Sequence, residues 1–390
     1  MPRPPSFSTH IDSLSARVFS GLAAKAAAKR AAGEPVHMLS VGDTYEEPPE
    51  AARVDALHSS DLDGIHKYAP PPGLPKLLAA ISDRTEALGR RVPEERLQVM
   101  SGATAGLSVI SETLFDVGDE VLLPSPFWPL IRGIIAKRGA VPVQVPLFHA
   151  LDSLDVEATL EAAITDRTVA LYVNTPHNPT GAIASPAALD AFVRVATRHD
   201  LWLICDEAYQ DLAFVDAPAP LWTRDDVQER YVACHTLSKS YGLAGARIGY
   251  AHGCAAVGEA LRAVQAFSTY SAPTPMQVSA ERALRTGDEF LARRRELFAV
   301  AGRETAEVLG IPAPAGGTFL FFDASPYLRE GESDSLGFLG RCLDAGVLMT
   351  PGSSCGADFA KWVRICFTSE SLDEHRDALE RLGGVLKTIC

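Results

Sequence analysis

Lys239 sits in the run HTLSKSYGLAGARIGYAHG (235–253), among small hydroxyl residues and glycines, directly after an apolar stretch and ahead of Arg247. Lysine is almost never fully buried alone, because desolvation disfavours the ammonium and lowers its pKa. That penalty is useful where the amine must attack an aldehyde. A lysine in an exposed loop is the plainer explanation, so the chemistry depends on its company. Asp206 closes the apolar run LWLICD (201–206), and Tyr209 follows in the same loop. Asn178 lies in the turn Asn178-Pro179-Thr180-Gly181, after TVALYVN (168–174). SGATAG (101–106) puts Gly102, Ala103 and Thr104 where a helix is expected to begin, and PSPFWP presents Trp128 as a flat aromatic face.

A lysine, a carboxylate, a phenol, an amide, an aromatic plate and a helix start with free amides are the parts of a pyridoxal 5'-phosphate pocket. In such a pocket the lysine forms an imine, an aspartate faces the protonated pyridine nitrogen, and backbone amides with an arginine hold the phosphate.

These residues need a sheet edge to bring them together. Short apolar runs at 97–100, 120–124, 168–174, 201–206, 231–237 and 247–252 alternate with helical patterns, the order expected of a parallel sheet covered by helices. One helix opens at Ser185-Pro186, a capping serine and a first-turn proline, and runs to His199. Each site residue follows a strand, at the edge where open α/β sheets bind ligands. The last third changes style. A charged helix (288–309), strands at 317–322, 347–349 and 362–367, a helix near 335–345 and a closing helix after 371–374 read as a smaller α+β domain, joined by an N-terminal helix over 13–32. The expected division is a large domain over 46–285 and a small one made of 1–45 and 286–390.

The chain has 390 residues, 47% hydrophobic and 22% charged, which allows a large core and argues against disorder. A net charge of -13 opposes a nucleic-acid or anionic-membrane partner, since both attract clustered Lys and Arg. The seven cysteines are scattered without a C-x-x-C pair, and the N-terminus has no apolar signal region. A reduced, cytoplasmic protein with no metal site is expected.

The motifs LSVGDTYEEPPEA, Lys67-Tyr68 with Gly73 and Leu77, SGATAG, PSPFW, NTPHNPTG, DEAY, TLSKSYGLAGARIGY and WVRICF together resemble the fold-type I, class I/II aminotransferase family over nearly the whole chain. TLSKSYGLAGARIGY with DEAY is most similar to the histidinol-phosphate branch. TPGSSCG with WVRICF is more similar to the aspartate, aromatic and kynurenine branches. The resemblance implies that Lys239 is the Schiff-base lysine and the base that moves the proton. It makes Asp206 the partner of the pyridine nitrogen, Tyr209 and Asn178 the partners of the phenolic oxygen, and Trp128 the stacking ring. Gly102, Ala103, Thr104, Thr236, Ser238 and Arg247 would grip the phosphate, with Tyr68 reaching in from a partner subunit. Arg364 would clamp the substrate carboxylate, with Asn178 and the backbone of Gly42 nearby. Gly42 is followed by Asp43-Thr44-Tyr45 in place of the family's Gly-x-Pro, so Tyr45 is expected to line or narrow the pocket. Implied partners are an α-amino acid, a 2-oxo acid and a second copy of the chain sharing the active sites. His177 reads as a turn residue, and Cys355 and Cys366 as passive.

Other chemistries lack parts. Gly352-Ser353-Ser354-Cys355-Gly356 fits the hydrolase pattern G-x-S-x-G, but only Asp358, Asp373 and His375 follow it as candidate partners. LWLICDE resembles a Walker B strand, yet no Gly-Lys pair occurs. Neither G-x-G-x-x-G after the first strand nor H-E-x-x-H is present. A transcriptional regulator built on this fold would need an added DNA-binding domain. Within the same cofactor chemistry, a carbon–sulfur β-lyase or a biosynthetic cyclase or oxidase is the alternative to transamination.

Overall fold

The computed structural model describes residues 20–387. A short strand β1 (His37–Met38) precedes the main sheet. That sheet contains β2 (Leu97–Met100), β3 (Glu120–Ser125), β4 (Val141–Pro146), β5 (Thr168–Asn174), β6 (Trp202–Asp206), β7 (Tyr231–Thr236) and β8 (Gly249–Gly253). Their spatial order is β2-β8-β7-β6-β5-β3-β4. Strands β3 to β7 pair in parallel, whereas β8 runs antiparallel to both neighbours, β7 and β2.

Successive side chains of a strand point to opposite faces, so a strand covered on both sides reads as a continuous apolar run. Leu122, Leu171, Val173 and Leu203 belong to one core cluster, and their chain neighbours Val121, Ala170, Tyr172 and Ile204 to another. The helix Pro186–Arg198 delivers Phe192 to the first cluster, and the helix Ala103–Leu114 delivers Leu107 and Ile110 to the second. Ser185 caps the former by accepting a hydrogen bond from the Ala188 amide at 3.3 Å.

Beyond the long helix Asp288–Leu309 come β9 (Phe319–Asp323), β10 (Val347–Leu348), β11 (Thr350–Pro351) and β12 (Trp362–Cys366). Strand β12 lies between β11 and β9, antiparallel to both, and β1 pairs in parallel with β10. The helix Ser20–Ala31 packs Leu22 and Ala26 against Leu343 and Leu348. The first part of the expected N-terminal helix, residues 13–19, lies outside the described residues, as does Cys390.

Three expectations change. Strand β4 was not foreseen, because Pro142 and Pro146 make VPVQVP look like a loop; it is an edge strand, where a missing N–H costs no ladder bond. The strand expected from Arg247 begins at Gly249, because Arg247 has φ 54°. The strand expected from Gly317 begins at Phe319, after a glycine at φ 77°. Among the described residues, no helix is long and apolar enough to cross a membrane.

Candidate active site

The cavity opens at one edge of the main sheet, with a volume of about 460 Å³. Ala103 and Thr104 follow β2, Trp128 follows β3, Asn174 and Asn178 end and follow β5, and Asp206 and Tyr209 end and follow β6. Thr236, Ser238 and Lys239 come from the end of β7. The reversal of β8 brings Arg247, just ahead of its first residue, to the same edge. Gly42, Phe319 and Arg364 close the cavity from the side of the smaller sheets.

The Lys239 ammonium donates to the backbone carbonyl of Gly42. Burial pushes this amine below its ordinary pKa, opposed by the nearby Asp43 carboxylate. Gly42 must be a glycine, because a Cβ there would meet the Phe319 ring at 2.3 Å. The Phe319 ring also carries the Arg364 guanidinium, whose Cζ lies 4.1 Å from the ring centre. Arg364 donates from Nη1 to Asn178 Oδ1 at 3.1 Å and from Nη2 to the Ser40 carbonyl at 2.9 Å. Its Nε is buried without a partner.

Asp206 is 5% exposed and accepts from the Tyr172 hydroxyl at 2.5 Å and the Ala208 amide at 3.1 Å. Burial pushes its carboxyl up to about 6, against the pull of those two donors. Asn174 donates to the Asp206 carbonyl at 2.8 Å and accepts the Asn178 amide at 2.9 Å, which ties the β5 and β6 loops together. The Asn178 side-chain amide donates to the Tyr209 hydroxyl at 3.2 Å. Burial pushes the Tyr209 phenol up to about 12.

At the other end, the Ser238 amide and Thr236 Oγ1 are 3.2 Å apart, and the Thr236 hydroxyl donates to Ser238 Oγ at 2.9 Å. Gly102 (φ 83°) is the residue before the helix Ala103–Leu114. A Cβ on it would meet Arg247 Nη2 at 2.4 Å, so the glycine lets the guanidinium lie over the first turn.

Three expected residues, Gly102, Tyr45 and Tyr68, do not line the cavity. Tyr45 is 39% exposed. Tyr68 is 84% exposed and rests edge-on against Tyr270, with ring centres 5.1 Å apart. His177 stacks on Phe148 at 3.8 Å and contacts Thr180 Oγ1 at 2.8 Å, as a turn residue would. Ser354 donates to the Pro351 carbonyl at 2.8 Å within a short 3-10 turn, Gly352–Cys355, and not at a strand-to-helix elbow.

Tyr172 and Arg294 escaped the sequence reading. Tyr172 is legible in retrospect, two residues before Asn174 on the same strand face. Arg294 is completely buried between Phe290 and Phe298, at 4.4 and 5.4 Å from their ring centres. It donates to the Lys239 carbonyl at 2.9 Å and to Glu46 Oε2 at 3.1 Å, and no local pattern distinguishes it from Arg293 and Arg295 beside it.

The sequence profile of the family described as aminotransferase class I and II matches residues 34–382. An aspartate/prephenate aminotransferase of Thermus thermophilus is 31% identical, over 93% of this chain and 94% of its own length. An arginine–pyruvate transaminase of Pseudomonas aeruginosa is 30% identical, over 87% of this chain and 88% of its own. The Thermus thermophilus aspartate aminotransferase solved with maleate superposes with a TM-score of 0.88 at 29% identity, covering 98% of this chain and 100% of that one. The chain therefore belongs to the class I and II aminotransferases, pyridoxal-phosphate-dependent transaminases of fold type I.

Proposed function

We propose that this cavity holds pyridoxal phosphate through Lys239 and moves an amino group between an α-amino acid and a 2-oxo acid bound by Arg364. The carrying observation is that a buried lysine amine, a buried carboxylate and a buried arginine with an unpartnered Nε share one cavity. The donor set fits the cofactor. Among the described residues Asp206 has no cation partner, as a carboxylate meant for a protonated ring nitrogen would. The first turn after Gly102, with Thr236, Ser238 and Arg247, offers amides, hydroxyls and a guanidinium to a phosphate. When bound, the cofactor supplies a sink for the electron pair left on the substrate's α-carbon.

The chain supplies the rest. Lys239 would be the point of attachment, and burial, which lowers its pKa, favours the neutral form that can take the α-proton. Arg364 binds the α-carboxylate with its planar fork, and Phe319 beneath it keeps water away. Asp206 holds a proton at the ring nitrogen. Asn178 and Tyr209 would hold the ring oxygen, and Trp128, which also lines the cavity, would offer the ring an aromatic face. Tyr68, exposed beside Tyr270, would serve the site of a second copy in a homodimer. The free, buried cysteines among the described residues fit a reducing cytoplasm.

Borohydride reduction of the yellow protein, followed by peptide mapping, is expected to leave the pyridoxyl group on Lys239. A label on another lysine ends the assignment. Sedimentation of the same sample is expected to give a dimer, and a fully active monomer would remove Tyr68 from the site.

A further inference from the structure

Strand β5 ends at Asn174, which lines the cavity and is 2% exposed. Its main chain pairs with Asp206, the last pair of the parallel ladder between β5 and β6. The Asn174 side chain carries the ladder one step further. Its Nδ2 donates to the Asp206 carbonyl at 2.8 Å, and its Oδ1 accepts from the Asn178 amide at 2.9 Å. A side-chain amide has the donor and the acceptor of a peptide group, so it can stand in for a main-chain unit where the two strands part.

The segment it holds is short of main-chain donors. Pro176 and Pro179 have no N–H, and Asn178 lies between them. The His177 amide donates to the Ala182 carbonyl at 2.8 Å and the Gly181 amide to the His177 carbonyl at 2.9 Å, which closes the turn on itself. The Asn178 amide reaches back to β5 instead. Both ends of the Asn178 side chain are engaged as well. Arg364 can only donate, so it takes Oδ1 at 3.1 Å, and Nδ2 is left to donate to the Tyr209 hydroxyl at 3.2 Å. Asp206 is held from β5 at two points, its carboxylate by Tyr172 and its carbonyl by Asn174, residues two apart on one strand face. Asn174, Asn178 and Asp206 are all buried within one chain, so these bonds are complete without a second copy.

Resting on the aminotransferase reading above, we propose that Asn174 is a positioning residue for the reaction: it fastens the Asn178 main chain to the end of β6, and so keeps Asn178 and Tyr209, the partners of the ring oxygen, at a set spacing from Asp206, the partner of the ring nitrogen. It acts through those residues. Hydrogen-bond donors aimed at an oxygen favour its charged form. Loosening Asn178 weakens that donation, and the pH at which the bound cofactor's visible absorbance changes then moves up.

The test titrates that absorbance with pH in the loaded wild type, Asn174→Ala, Asn178→Ala and the double variant, with a urea midpoint for each. Asn178→Ala is expected to raise the absorbance midpoint by about one pH unit, and Asn174→Ala by about half a unit or more. The double variant is expected to match Asn178→Ala to within roughly 0.3 units, because a residue that acts through another adds nothing once the other is gone. Asn174→Ser, which keeps a polar atom at the buried position, is the milder variant should the alanine fail to fold, and it is expected to shift the midpoint in the same direction. A lowered urea midpoint with the wild-type absorbance midpoint makes Asn174 structural only and overturns the inference, as does a double variant whose shift is the sum of the two singles. An unmoved midpoint in Asn178→Ala overturns the assignment of the ring-oxygen partners and this inference with it, while the transaminase reading stands. A wild type that takes up no cofactor overturns all of them.

Discussion

At Asp206, burial lifts the carboxyl to about 6 while Tyr172 and Ala208 pull the other way, so the anion exists at pH 7 with little to spare. A cation opposite it relieves that cost, and the cost is the reason the residue can hold a ring proton in place. Asp206→Asn is expected to retain the cofactor yet lower kcat by about 100- to 1,000-fold, the range found when a single preorganised electrostatic group is removed. Tyr172→Phe is the milder probe. A hydrogen bond to a charged group contributes roughly 1.5–3 kcal/mol, so kcat is expected to fall about 10- to 100-fold. Because the lost donor was lowering the Asp206 pKa, the acid limb of the pH–rate profile should move to higher pH. Wild-type kcat in either variant contradicts the role given to the carboxylate.

The long helix Asp288–Leu309 contributes no side chain to the cavity, yet Arg294 fastens the segment carrying Gly42 to the loop carrying Lys239. Replacing Arg294 by Met removes its donors and leaves Glu46 with Arg293 alone, at 2.8 Å. Breaking a buried pair from one side costs about 3–5 kcal/mol, and here the loosened segment also carries the lysine's partner. The expected result is a lower urea midpoint together with a fall in kcat/KM. Adding Glu46→Gln should restore part of the midpoint without restoring kcat/KM. If both recover together, Arg294 is structural only. Element by element, the sequence was readable where burial on both faces wrote uninterrupted apolar runs, as at β5, β6 and β7. It was unreadable where the deciding contact is remote. The direction of β8 depends on pairing with β2, far away in the chain, and the place of Arg294 depends on Phe290, Phe298 and Glu46 enclosing it. The loop residues Lys239, Asp206 and Asn178 could be picked out because each ends or follows a strand, a placement that needs no knowledge of the partners.

For the molecule as a whole, buried histidines set the response to acid. Burial pushes His177 and His252 down to about 3 and His375 to about 4, and burial with the neighbouring His252 holds His235 well below its ordinary value. In the unfolded chain each would titrate near about 6.5, so below that pH unfolding takes up protons and stability falls. Two groups oppose the trend. Asp206, at about 6, and Glu207, raised to about 8 by burial and then by Asp206 and Asp211, hold protons in the folded state that the unfolded chain would release. Four histidines against two carboxyls leave a net uptake on unfolding, at about 1.4 kcal/mol per pH unit for each uncompensated proton. The urea midpoint of the cofactor-free protein is therefore expected to drop between pH 7 and pH 5, and a level or rising midpoint would refute this.

The resting contact of Lys239 has one more implication. Its acceptor is a main-chain oxygen, which exchange of the Gly42 side chain cannot delete, and the Phe319 ring bars any larger residue from that position. Point changes at Gly42 can thus alter this contact only by displacing the segment that bears the oxygen. Variation in reactivity among descendants of this protein should therefore track insertions and deletions between His37 and Tyr45, together with the charge carried at position 43.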